Sequence, residues 1–370
     1  MRIGIDASRA LLAQRTGTEN YSLQLINHLI ELAEHDARDI EFTLYCPQQP
    51  ADGLFTESSN WKAKVIPFPR LWTHIRLSGE MLVSRPDVLF VPGHVLPYIH
   101  PKESVVTVHD VGHLYYPETY PKNMLRYMTW ATKHNIEKSK HLLADSEATK
   151  ADIIRHFSID PERITVVYPG VSLPFQPKHS ATAIQAVQER YGIRPPYVLY
   201  VGTLHPRKNV ERLLEAFAKA KQRGLQEHLV IAGRLGWLPE GILRRLRDID
   251  EGVTLAGYVP DTDLPLLYAG ATLFVLPSLF EGFGMPILEA MACGAPVLAA
   301  DTSSLPEVVG DAGAFFDPHN VDQLAESMTW LCQHPQELDV FRARGFVRAD
   351  DFTWEEAARK TLGVLRAAAS

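Results

Sequence analysis

Cysteine is scarce in this chain of 370 residues. The three present, Cys46, Cys293 and Cys332, are odd in number, far apart and in no metal-ligand spacing. That excludes a disulfide framework and a cysteine-built metal centre, and reads as reduced thiols of a cytoplasmic protein. Long apolar runs are missing too. The longest weakly charged stretch, Gly282–Ala300, is interrupted by Glu289, glycines and prolines, so no membrane-spanning helix is expected. The first residues read directly as a strand, with no signal peptide. Positive charge is not in excess: the net charge of −7 argues against a nucleic-acid partner, which needs a basic face. Contact with the inner face of a membrane stays open. No Gly-x-Gly-x-x-Gly joins the first strand to its helix, which removes a dinucleotide cofactor.

What is present is alternation. Apolar runs at Ile3–Asp6, Phe42–Cys46, Val65–Phe68, Val88–Val91, Val105–His109, Leu142–Ala144 and Val166–Tyr168 read as strands. Amphipathic stretches such as Tyr21–Ala33 and Leu125–Ser139 lie between them. Linker composition follows around Leu173–Ser180. A second series then runs Val198–Val201, Leu229–Ala232, Val253–Leu255, Leu273–Leu276, Val297–Ala299 and Ala314–Phe316, with helical stretches at Val210–Lys221 and Leu243–Asp248. Such alternation predicts an α/β protein of two doubly wound, Rossmann-like domains, with ligands at the C-terminal ends of the strands and so in the cleft between domains. The boundaries read as 1–175, 176–350 and a closing segment, 351–370.

The most informative segment is Ser278–Pro296, where Glu281 and Glu289 flank a glycine-rich bend. Gly282 and Gly284 permit unusual backbone and close approach of a ligand. Pro286 suits the first turn of a helix, and Gly294 with Pro296 its end. The N–H groups of the 283–288 turn then form an anion site. Glu281 is placed to accept from sugar hydroxyls, and Glu289, in the first helical turn, from a ribose.

Arg207 and Lys208 follow the strand ending at Gly202 and suit a diphosphate, the Arg as a fork and the Lys as a point charge. His109-Asp110 ends a strand of the first series. His113 follows, but without a third ligand at sensible spacing no metal is expected. Gly17, in Thr16–Tyr21, lets backbone meet a phosphate. Glu19 would be repelled there and is expected to face an acceptor or solvent. Asp261-Thr-Asp263 looks like a metal motif, yet it stands at a helix start, where Asp is a natural N-cap.

From Glu281 to Val297 the chain resembles, without a gap, the glutamate–seven–glutamate signature of retaining glycosyltransferases of family 4, which have the GT-B fold. Further similar segments keep the family's order: Met1–Asp6, Val108–Asp110, Ala144–Ser146, Val167–Gly170, Tyr200–Asn209 and Leu255–Val259. The resemblance implies a metal-independent hexosyltransferase without a bound cofactor. Its last helix, from Phe352 to Ala367, crosses back onto the N-terminal domain. Its donor is a nucleoside diphosphate sugar, and its acceptor is a glycan, lipid-linked or small-molecule hydroxyl.

By the same resemblance, His109, Arg207, Lys208 and Glu281 are catalytic, with His109 close to the transferred sugar. Gly17, Gly202, Tyr258, Val259, Phe283, Gly284, Met285, Ile287, Leu288 and Glu289 contact the donor, those around Tyr258 through backbone to the nucleobase. Glu19 and Asp110 are left to the acceptor. The Ile-Asp opening and Thr203–Lys208 resemble bacterial mannosyltransferases, which favours GDP-mannose. UDP-glucose and UDP-N-acetylglucosamine are the alternatives, and outside the family a sugar-nucleotide epimerase of similar fold.

Overall fold

A computed structural model describes residues 1–172, 174–177, 179–247 and 252–370, with the Arg247 side chain excepted. Leu173 and Lys178 of the expected linker, and Asp248 at the end of an expected helix, lie outside the described residues. Seven strands come first: β1 (Arg2–Asp6), β2 (Glu41–Cys46), β3 (Trp61–Val65), β4 (Val88–Val91), β5 (Ser104–Val108), β6 (His141–Ala144) and β7 (Ile164–Val166). Six follow: β8 (Tyr197–Val201), β9 (His228–Ala232), β10 (Val253–Gly257), β11 (Leu273–Leu276), β12 (Val297–Ala300) and β13 (Gly313–Phe316). Among the described residues every strand pairing is parallel. The sheet orders are β3-β2-β1-β4-β5-β6-β7 and β10-β9-β8-β11-β12-β13. Each therefore reverses its winding once, between β1 and β4 and between β8 and β11.

The central strands are apolar without alternation because helices cover both faces of a parallel sheet. Every residue of β4, β11 and β12 is buried. The edge strand β3 departs from expectation. It runs Trp61–Val65, earlier than Val65–Phe68, and Phe68 is 39% exposed. Lys62 and Lys64 interrupt its apolar pattern, yet Trp61 to Val65 pair in register with Phe42 to Cys46.

The chain divides into two compact units. The first comprises Met1–Val111, Arg126–Gly170 and Thr353–Ser370, and the second Gly112–Leu125 and Val171–Phe352. The division differs from a simple break near 175, because Gly112–Leu125 goes with the second unit. Rings hold it there. Tyr115 stacks on Phe280 at 5.1 Å, Tyr120 stacks on Trp237 at 5.6 Å, and Trp237 Nε1 donates to the Thr119 carbonyl at 2.7 Å.

The helix Trp354–Ala369 belongs to the first unit. Its N-cap is Thr353, whose side chain accepts from Glu356 N–H, and its first residue, Trp354, is 1% exposed and meets Tyr21 edge-on at 5.7 Å. Gly170 is needed under this turn, since a Cβ there would lie 2.2 Å from the Trp354 nitrogen. Among the described residues no helix is long and apolar enough to cross a membrane.

Candidate active site

In the second unit the winding reverses between β8 and β11, and the loops leaving these two strands carry the expected cations and carboxylate. A parallel α/β sheet places its ligands beyond the strand ends at such a reversal. After β8, a tight turn at Pro206–Lys208 leads to Asn209, held at φ 60°. Asn209 Nδ2 donates to the carbonyls of Pro277 and Pro318 at 2.9 and 2.8 Å, which ties this turn to the loop after β11. Lys208 Nζ then lies 2.5 Å from Glu281 Oε1, and the same oxygen accepts from Ser278 Oγ at 2.6 Å. Lys208 and Glu281 keep only 16% and 10% of their side chains exposed. Burial pushes the Glu281 carboxyl up, but the charges of Lys208 and Arg207 outweigh it and hold the group below its ordinary value. Glu281 is therefore a carboxylate.

The rest of the bend is fixed by its own hydrogen bonds. Glu281 N–H donates to Ser303 Oγ at 2.9 Å, and Ser304 Oγ donates to the carbonyls of Glu281 and Phe283 at 3.0 Å. Gly284, at φ 100°, turns the chain into the helix Met285–Ala292, and a Cβ there would meet Leu305 at 2.7 Å. Two expectations need adjusting at this helix. Ile287 N–H is already bonded to the Gly284 carbonyl at 2.8 Å, and Pro286 has no N–H, so the 283–288 turn offers fewer free donors than its length suggests. Ile287 and Leu288 bury their side chains, so neither side chain is open to a ligand.

Arg207 is also adjusted. It is 9% exposed and Nη1 donates to the Phe280 carbonyl at 2.7 Å, so one arm of its fork holds the loop rather than standing open.

Glu289 is the fifth residue of its helix and so lies in the second turn, not the first. Its Oε2 accepts from the Tyr268 hydroxyl at 2.9 Å. Burial raises its pKa to about 7, with the neighbouring charge of Asp261 adding to the rise. Through Asp261 this carboxyl senses the loop after β10, which holds Tyr258, 39% exposed, and Val259, which is buried. Asp263 sits at the start of the helix Leu264–Ala269, but its side chain does not cap it. Oδ2 instead accepts from Arg190 Nη1 at 2.7 Å and Tyr191 Oη at 2.9 Å, so Asp263 fastens the helix Ala181–Arg190. Among the described residues no group of three or more His, Cys, Asp or Glu side chains is placed to hold a metal ion.

At Gly202 a Cβ would lie 2.7 Å from the Tyr200 hydroxyl, and one at Gly233 only 1.9 Å from the Gly202 carbonyl oxygen. The strand ends are therefore packed backbone to backbone.

The first unit holds the remaining expected residues. His109 follows β5, and its Nδ1 lies 2.6 Å from Asp145 Oδ2. Thr149 Oγ1 donates to the His109 carbonyl, and the Tyr21 ring meets the imidazole edge-on at 4.8 Å. Burial pushes His109 down, yet the Asp145 carboxylate overrides it and keeps the imidazole above its ordinary value, with Asp110 and the Pro92 carbonyl adding. Asp145 carried no role in the reading of the sequence.

Gly17 opens the helix Gly17–Asp36, and a Cβ there would meet only open space. Glu19 is occupied differently from expectation. It accepts from Thr16 N–H at 3.1 Å, closing a capping box, and pairs with Arg9 at 3.5 Å.

Two parallel, Rossmann-like units, each with polar groups gathered beyond the strand ends, define an α/β protein of the GT-B fold. Residues 16–174 match glycosyltransferase family 4, and residues 184–347 match the glycosyl transferases group 1. The O-antigen chain mannosyltransferase B of Escherichia coli is 36% identical over 279 residues, 74% of this chain and 73% of that protein. The serotype-specific mannosyltransferase WbdA of Escherichia coli is 30% identical over 273 residues, 71% of this chain but only 33% of that longer protein. Among solved structures, a sucrose-phosphate synthase from Thermosynechococcus elongatus superposes with a TM-score of 0.76 at 19% identity, covering 99% of this chain and 98% of that one. The chain belongs to the family 4 glycosyltransferases and resembles their bacterial mannosyltransferases.

Proposed function

We propose that this glycosyltransferase moves mannose from GDP-mannose to a hydroxyl of a glycan, lipid-linked or small-molecule acceptor, with retention at the anomeric carbon and without a metal or bound cofactor. The observation that carries the reading is the Lys208–Glu281–Ser278 cluster at the reversal between β8 and β11, next to the start of the helix Met285–Ala292. Departure of the nucleoside diphosphate builds negative charge on its leaving oxygen. A fixed ammonium and a helix N-terminus stabilise that charge without reorganising. Glu281, kept ionised, accepts from sugar hydroxyls, and Glu289 accepts from the ribose. His109, oriented by Asp145, is read as a catalytic group at the strand ends of the first unit. Mannose is favoured by the names of the relatives, both of them mannosyltransferases. The reaction is assigned to the synthesis of polysaccharide in the cytoplasm.

Thermal unfolding with GDP-mannose, GDP, UDP-glucose and UDP-N-acetylglucosamine tests the donor. A ligand at a hundred times its Kd adds about 2.7 kcal/mol of stability, several degrees for units of this size. A shift with guanine nucleotides and none with UDP-sugars is expected. The reverse pattern would reassign the donor to a UDP-sugar, and no shift with any of them would remove the transferase reading of this site. The anomeric configuration of the product, read by NMR, tests retention.

A further inference from the structure

The first unit has its own reversal, between β1 and β4, and a pocket of about 360 Å³ lies beyond the strand ends there. Ser8 and Arg9 reach it from β1, His94 from β4, and Trp72, His74 and Tyr127 wall it. His74 lies on Thr73–Leu77, a wide π-helical turn of a kind frequent at functional sites. Arg9 and His94 each bring a donor to this pocket. Arg9 Nε is buried without a hydrogen-bond partner in the protein. His94 Nδ1 accepts from Val95 N–H at 2.7 Å, which leaves its proton on Nε2. Burial drives the His94 pKa down to about 3, so it stays neutral.

A row of rings leads out of this pocket. His74 Nε2 lies 3.2 Å from the Tyr127 hydroxyl, and its ring is 4.9 Å from Tyr98 and 5.4 Å from Trp130. Trp130 in turn stacks on His134 at 5.1 Å, the planes 16° apart. Tyr127, Trp130 and His134 are spaced three and four residues apart on one helix and so share a face. These rings are not core. Tyr98, Tyr127 and Trp130 are 59%, 43% and 36% exposed. A contiguous exposed aromatic patch beside a pocket marks a contact surface.

Its charge selects the partner. Burial holds the imidazoles of His74 and His134 below their ordinary values, so the row is uncharged near neutral pH. Lys133, on the same helix, is paired with Glu137 at 3.7 Å. Leu12 and Leu71 also line the pocket and are exposed, but the patch that continues from it is made of rings. Flat rings with polar edges suit sugars, whose C–H faces lie on the rings while their hydroxyls stay in water.

We propose that the pocket and the ring row form one binding site for an uncharged oligosaccharide. The terminal sugar lies in the pocket against Arg9 and His94, and the sugars behind it lie on Tyr127, Trp130 and Tyr98. Tyr127 to His134 spans roughly 10 Å of helix, room for about two sugar rings. This rests on the reading of the chain as a transferase to a glycan, and it makes chain length the quantity the acceptor side measures.

Calorimetric titration with linear oligomers of α-mannose, α-glucose and β-glucose, of one, two, three and five units, tests it. In at least one series the pentamer is expected to bind tenfold or more tighter than the monomer. Trp130→Ala and Tyr98→Ala should each remove fivefold or more of that gain while the monomer is unaffected. Binding that does not depend on length, absence of binding in every series, or pentamer affinity unchanged in both variants would overturn the proposal. Phosphatidylglycerol vesicles that bind wild type but not Trp130→Ala, with glycan binding equal in the two, would show a lipid occupant and overturn it as well. The thermal shift by GDP or UDP is read on the same samples. Its loss in the presence of length-dependent glycan binding would sink the donor assignment alone.

Discussion

His109 and Asp145 meet because their strands are in register: Val108 of β5 pairs with Ala144 of β6, and the next residue of each supplies one half of a 2.6 Å bond. The parallel sheet thus brings an imidazole and a carboxylate together at its C-terminal edge from positions 36 residues apart. Asp145 fixes the proton on Nδ1 and stabilises the imidazolium, which makes it a positioning residue for His109.

Replacing Asp145 by Asn should leave burial acting alone on His109. The imidazole then titrates below its ordinary value instead of above it, as NMR of the ring protons would read. Turnover should fall by about tenfold or more, with donor binding unchanged. The stability that the pair contributes in wild type is full below the unfolded pKa, about 6.5, and is lost as pH rises through the higher folded value. The difference in stability between wild type and Asn should therefore shrink from pH 6 towards pH 9. An unmoved His109 titration would remove Asp145 from this role.

Lys208 and Glu281 form a nearly buried pair, so Lys208→Ala should have two separable effects. Loss of a charge-assisted contact to the diphosphate weakens donor binding by about 1.5–3 kcal/mol. Glu281, left buried without its cation, costs about 3 kcal/mol of stability. The double variant Lys208→Met/Glu281→Gln should recover much of that stability and none of the binding. Near-normal donor binding in Lys208→Ala would sink the placement of the diphosphate.

Much of this was legible in the sequence, and what was not has physical causes. The apolar runs of β4 and β11 are buried on both faces, so composition alone marked them. β3 was displaced because an edge strand carries lysines and loses that signal. Glu281 and Lys208 were legible as chemistry at strand ends, but their mutual pairing depends on β8 and β11 being neighbours, which sequence spacing does not encode. Asp145 was missed for the same reason. Its signal was nonetheless present, as a carboxylate one residue past an apolar run, like His109. The capping bond of Glu19 was also legible, since Thr16-x-x-Glu19 is itself a capping box, and that local bond competes with any role towards a ligand.

Glu289 should make the protein sensitive to pH. Its folded pKa, about 7, is raised above the ordinary value of 4.5, so its contribution is full below about 4.5 and is lost as pH rises through 7. A rise of that size is worth at most about 3 kcal/mol, and partial exposure reduces it to about 1–2 kcal/mol. Glu289→Gln should match wild type near pH 5 and be the more stable protein at pH 8, by denaturant titration. A ribose bonded to the carboxylate favours its charged form, so GDP binding should tighten from pH 6 to pH 8 more in wild type than in Gln. Equal pH dependence in the two would separate Glu289 from the nucleotide.

Metal independence is open to the most direct test. Asp261-Thr-Asp263 has the look of a metal motif, but Asp263 Oδ2 already accepts from Arg190 and Tyr191. Lys208 is the cation proposed for the diphosphate. Transfer should therefore continue in EDTA. Asp263→Asn should cost about 1–2 kcal/mol of stability, because Arg190 is 60% exposed and contributes little, while the Tyr191 bond contributes about 1 kcal/mol. Turnover in that variant should stay within about threefold of wild type, since a stability loss of this size leaves the protein folded. Loss of transfer on chelation, restored by Mg²⁺ or Mn²⁺, would instead bring Asp261 and Asp263 into the reaction and require Asp263 to release Arg190.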